Sequence, residues 1–180
     1  MSSDTDRPAL TPTIEEELKT LRGRFNAEEV LSGNAATVGD ATAIFTAHVH
    51  GELRRLMPPQ LYFVFYANTA TPQIVDAVRR ATSNYARKTA RAAHRILDDT
   101  LVVPVVVAEK IGANLAEILN KHSEFDSVYE IPVVLVPREG GRGSWHWRET
   151  ADAVVGRAGF PAFRTLIYTK LGGERYEIQK

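Results

Sequence analysis

The residues with the strongest claim to chemistry are cationic and closely spaced. Arg79, Arg80, Arg87, Lys88, Arg91 and Arg95 fall within one stretch that contains no acidic residue. At about 100° per helical residue, Arg80, Arg87, Arg91 and Arg95 share an arc of about 80°. Cations placed along such an arc suit the phosphates of DNA or RNA, with His94 beside them and Asn84 as a neutral donor. The ordinary reading of such an arc is a solvated helix face, and it can also be the docking surface for an acidic partner subunit.

Other constellations are weaker. Trp145 and Trp147 alternate around His146, next to Arg142 and Arg148. On a strand both indoles point to one face, where they can stack bases or anchor a partner, although a covered strand face explains them better. His48 and His50 would share a face on a strand, as metal ligands require, but they diverge on the helix expected there. Glu109 and Lys110 invite comparison with metal-dependent nucleases. They are adjacent rather than two apart, so an extended strand sends them to opposite faces and the likeness fails. Gly140, Gly141 and Gly143 lie between two hairpin arms, whereas a phosphate-cradling loop joins a strand to a helix. His94, His122 and His146 are scattered. Serine elbows, Walker loops and dinucleotide fingerprints are absent. No catalytic residue, metal or cofactor is assigned.

The elements that must position these residues follow from hydrophobic period and punctuation. Leu61–Ala67 is aromatic and β-branched without polar alternation, which predicts a strand covered on both faces. Thr71 caps a helix with Pro72 at its first position, and the pattern runs unbroken to Leu97. Ile74, Val78, Ala81, Tyr85, Ala92 and Ile96 form its expected buried stripe. Leu101–Ala108 is a second strand, with Pro104 arguing for an edge or bulge. The resulting β-α-β unit, residues 61–108, organises the chain. A helix over 72–97 would span ~39 Å, whereas seven or eight strand residues cover only ~25 Å. The excess is expected to bend or to overhang onto another element or another chain.

Before this unit, Thr13 and Glu16 have capping-box spacing for a helix reaching Gly23. Asn26–Ser32 reads as a second capped turn. Asp40 is expected to cap a helix with Ala41, Ile44, Phe45, His48, Val49, Glu52, Leu53 and Leu56 on one face, stopped by Pro58 and Pro59. After the unit come a short helix at Asn114–Leu119, a third strand at Val128–Val136 interrupted by Pro132, and a hairpin return over Ser144–Arg148. Helices at Glu149–Val155 and Pro161–Leu171 follow.

The chain is therefore expected to be α/β, with α+β as the alternative. It forms one domain over 13–173, a mixed sheet of about four strands with helices on both faces and a preceding N-terminal helical segment. Residues 13–57 hold the N-terminal helices, 128–148 the strand and hairpin, and 149–172 the C-terminal helices. Residues 1–12 and 174–180 are an extended arm and a peripheral tail.

Composition narrows the function classes. Of 180 residues, 44% are hydrophobic and 24% charged, which is ordinary for a packed domain. The 22 basic and 22 acidic side chains cancel, so any attraction to polyanions must be local. With no cysteine there is no disulfide or thiolate chemistry. The polar start and the lack of a long apolar run predict an intracellular, cytoplasmic location without membrane contact. The leading expectation is a non-catalytic structural or assembly protein that self-associates or meets a protein partner through its arms, overlong helix and aromatic hairpin, as in homo-oligomeric or viral-type assemblies. The alternative is a nucleic-acid-associated protein using Arg80, Arg87, Arg91 and Arg95, with help from Trp145 and Trp147; a metal-dependent nuclease ranks below both.

Overall fold

A computed structural model describes residues 9–26, 28–31, 37–49, 59–92, 100–120, 128–147 and 160–179. The architecture is mixed α/β. Its sheet has the path β1 (Val30–Leu31), β3 (Ala41–Val49), β4 (Gln60–Ala70), β5 (Thr100–Ile111), β7 (Val133–Val136), β8 (Gly143–Trp147) and β9 (Tyr176–Ile178). Two short strands join from the side: β2 (Thr37–Val38) pairs with β3, and β6 (Val128–Glu130) pairs with β5. The sheet is thus wider than the expected four strands, because segments read as helix or tail prove to be strands. No helix among the described residues is long and apolar enough to cross a membrane.

The central strands behave as their composition demands. In β4, Tyr62, Val64 and Tyr66 face one core, while Phe63, Phe65 and Ala67 face the other. In β5, Leu101, Val103, Val105 and Val107 join the first core, and Val102, Val106 and Ala108 the second. Helices α1 (Pro12–Gly23) and α4 (Phe160–Lys170) cover the first face through Ile14, Leu18, Leu21 and Ile167. Helices α2 (Pro72–Ala92) and α3 (Leu115–Leu119) cover the second through Val75, Val78, Leu115 and Ile118. A strand buried on both faces has no solvent side to alternate toward.

Pro104 does not mark an edge, since β5 runs between β4 and β7. Its missing N–H is tolerated because the ladder on that side stops after Val102–Glu130 and resumes at Val105–Val133. Pro132 occupies the same gap, so two residues that cannot donate share one interruption.

The expected helix from Asp40 is instead β3, paired antiparallel with β4. A bulge explains why its sequence imitates a helix. The register passes from Ala43–Phe65 to Phe45–Val64, leaving Ile44 as the extra residue. Ala41 and Ala43 pack on the second core, but Phe45, Ala47 and Val49 pack on the first. The bulge flips the face of every odd residue, converting a period of two into spacings of three and four. Asp40 lies in the turn that joins β2 to β3, behind Gly39 at φ 59°, a positive angle that favours glycine.

Other expectations also shift. Helix α1 starts two residues early, with Thr11 as N-cap and Pro12 at N1, so Thr13 is not the cap. The stretch read as a peripheral tail contains a 3-10 turn at Gly173–Arg175 and then β9, which pairs with β8 and buries Tyr176. The helix expected at 149–155 lies outside the described residues. Most consequential are the lengths. The 21 residues of α2 span ~31 Å, while β4 and β5, with 11 and 12 residues, reach ~36–40 Å. The strands are longer than expected, so α2 over its described length does not overhang them.

Candidate nucleic-acid interface

Helix α2 begins as its sequence requires: the Thr71 hydroxyl accepts the Ile74 N–H at 3.3 Å. Its buried side consists of Val75, Val78, Arg79, Thr82, Ser83 and Ala86, a continuous three-and-four stripe. This is rotated from the expected stripe. Tyr85, read as buried, is 53% exposed, and Ala81 and Ile74 sit at the rim. Small hydroxyl residues take their place inside, and Thr82 satisfies its own hydroxyl by donating to the carbonyls of Val78 and Arg79 at 3.0 and 2.9 Å.

Two adjacent arginines on α2 have opposite fates. Arg79 turns inward, donating to Asp76 at 2.7 Å and to Glu130 of β6 at 3.2 Å. Ser83 donates a second hydrogen bond to Glu130. Arg80 turns outward with its side chain 64% exposed, touching the other Asp76 oxygen at 2.6 Å. Burial pushes the Asp76 pKa up, but the hydrogen bonds and charges of Arg79 and Arg80 outweigh it and hold the carboxyl below its ordinary range. Asp76 is the only acidic residue in α2, and it is spent on these two arginines.

The outer surface of α2 is accordingly basic. Arg80, Asn84, Tyr85 and Lys88 are exposed and Arg87 is half-buried. They sweep about 160° of the helix circumference. Tyr85 is held rather than loose, because its ring meets Phe63 edge-on at 5.7 Å. Of the other expected members, Arg91 belongs to the last turn of α2, while Arg95 and His94 lie outside the described residues.

Trp145 and Trp147 do not join this surface. They sit in the first core, on the opposite side of the sheet from α2, at 0% and 9% exposure. Their rings pack against each other at 5.1 Å and against Tyr168, and Arg164 lies over Trp147 at 4.3 Å. The alternation that put both indoles on one face holds, but α4 covers that face, so neither offers a free ring for stacking. Their indole N–H groups are buried without a hydrogen-bond acceptor among the described residues.

The remaining candidates also have definite places. Glu109 accepts a hydrogen bond from the Tyr66 hydroxyl at 3.2 Å, and Lys110 is exposed. His48 lies on a strand, which removes the helical reason for separating it from His50, but His50 falls outside the described residues. Among the described residues no cluster of three or more potential metal ligands occurs. Tyr85 is the functional candidate that sequence reasoning missed. The signal was the Thr82, Ser83 and Ala86 run, whose small side chains permit close packing and imply that the helix turns that side inward.

Compared with models of protein families, with curated proteins and with solved structures, the chain matches none.

Proposed function

We propose that this protein binds the phosphate backbone of nucleic acid through the outer face of α2. The observation that carries the reading is the joint exposure of Arg80, Asn84, Tyr85 and Lys88 on one helix face. Cations supply sequence-independent attraction, Asn84 a neutral donor, and Tyr85 a ring that can stack on an unpaired base. The expectation of an assembly protein rests on the terminal arms, the overlong helix and the aromatic hairpin, and over its described length α2 does not overhang β4 and β5. The charge pattern does not depend on it.

The test is a binding titration at increasing salt. Arg80, Arg87 and Lys88 together predict a slope of log K against log salt of about −2.7 on duplex DNA, rising in magnitude to about −4.5 if Arg91 and Arg95 also reach phosphates. R80Q/K88Q should lower the magnitude of the slope by about 1.8. Undetectable binding at low salt, or an affinity indifferent to salt, rejects the reading. Self-association remains a second reading because β9 ends the strand path with Ile178 48% exposed. A mass that stays monomeric across a dilution series rejects it.

A further inference from the structure

A cavity of about 470 Å³ lies between the first turns of α1, the loop joining β7 to β8, and the Arg175–Tyr176 corner. This volume is in the range of small-molecule sites, roughly 300–1,000 Å³. The cavity is on the α1 side of the sheet, away from the outer face of α2, so it is independent of the reading above.

Its floor is built and buried. Glu17 is 7% exposed and holds Arg175 in a two-point ion pair, with the Nη2 contact at 2.8 Å and the Nη1 contact closer. Tyr176 is 4% exposed, and its buried hydroxyl lies beside the Glu17 carboxylate. The walls differ in sign. Glu16 stands on the α1 wall, and Arg138 and Arg142 flank the Gly140–Gly141 turn of the loop wall, where Glu139 also stands. All four are exposed, and none forms an ion pair within 4.0 Å among the described residues.

Charges of both signs that line one cavity without pairing are separated by a gap. A ligand with one charge satisfies half of the lining and places its own charge near the like-charged half. A ligand with both charges, spaced to cross the gap, satisfies Glu16 and the two arginines together. We infer that this cavity is a binding site for a small zwitterion, whose ammonium meets Glu16 and whose carboxylate meets Arg138 and Arg142.

The probe is 6-aminohexanoate, an extended chain with one charge at each end, compared with hexanoate and hexylamine of matched length. Calorimetry on the full chain and amide shifts of Gly140, Gly141 and Thr13 provide the readouts. The zwitterion is expected to bind at about millimolar affinity, at least tenfold more tightly than either singly charged control, with shifts confined to the loop and α1. E16Q should remove the advantage over hexanoate, and R138Q/R142Q the advantage over hexylamine. Those side chains are exposed and unpaired, so unchanged melting temperatures should verify that the variants fold. Equal binding of hexanoate or hexylamine, shifts elsewhere in the chain, or no loop shift at ten times that concentration overturns the assignment.

Discussion

Replacing Arg79 and Arg80 one at a time separates two arginines that are neighbours in sequence and share Asp76 as partner. The side chains of Arg79 and Glu130 are 7% and 2% exposed. In R79A, Asp76 keeps Arg80 and Glu130 keeps the Ser83 hydroxyl, but Glu130 loses the Arg79 charge inside the protein. Breaking a buried pair this way costs ~3–5 kcal/mol, and the surviving partners place the expectation near the lower end. R80A removes a contact whose arginine is 64% exposed, and an exposed i,i+4 pair is worth only ~0.3–0.5 kcal/mol. Urea denaturation at neutral pH should therefore give R79A a loss of about 3 kcal/mol and R80A less than about 0.5. The pH dependence supplies a second arm. The folded-state pKa of Asp76 is lowered from 3.8, so its stabilisation is present above that value and lost as pH falls through the lower folded one. The R79A deficit should shrink in that acid window. Equal losses for the two variants at neutral pH would refute the division of α2 into an inner and an outer ionic side.

Further outcomes follow from other parts of the sheet. His146 has its pKa lowered from 6.5 by burial; because the unfolded chain then binds more protons, stability should fall as pH drops below 6.5, and H146N should flatten the curve between about pH 5 and 7. A Cβ on Gly143 would lie 2.5 Å from the Val136 carbonyl oxygen and 2.7 Å from the Tyr176 ring. G143A should cost ~1–3 kcal/mol as overpacking. Gly141 has open space around it, so G141A should be nearly neutral by the same denaturation assay. W145A should cost ~3–5 kcal/mol, and tryptophan emission of the native protein should resist an aqueous quencher, since Trp145 is fully buried and Trp147 nearly so.

The parts of the fold that sequence makes legible are those where one period governs a whole element. β4, α2 and β5 declare themselves because no bulge or break disturbs Tyr62–Ala67 or the run after Thr71. β3 reads as a helix for the opposite reason: one extra residue, Ile44, reverses the facing of its neighbours and makes a strand spell a helix. Its Thr42, Ile44, Phe45 and Thr46 still carried β propensity, the only local hint against the helix. β9 was hidden differently. Three residues cannot show a period, and Tyr176 is buried only because β8 is there to pair with. The candidate interface was half legible. Helical geometry alone grouped Arg80 with Arg87, but whether Arg79 or Tyr85 turned inward depended on Glu130, which lies 51 residues from Arg79.

That last dependence explains how a chain of zero formal charge can present a cationic helix. Charge on α2 is partitioned by burial rather than by composition. Glu130 and Asp76 draw Arg79 inward, where its charge is neutralised locally, and Asp76 is left with no reach beyond Arg80. The outer side then carries cations with no acidic residue of the same helix exposed beside them. On the other face of the sheet, Glu17 and Arg175 neutralise one another beneath the cavity, leaving Glu16 apart from Arg138 and Arg142. Because the sheet separates the two sites, R80Q/K88Q should weaken nucleic-acid binding and lower its salt slope while leaving 6-aminohexanoate affinity unchanged, and E16Q should weaken 6-aminohexanoate binding alone. If either variant alters both activities while its melting temperature is unchanged, the sheet does not insulate the faces and at least one of the assignments is wrong.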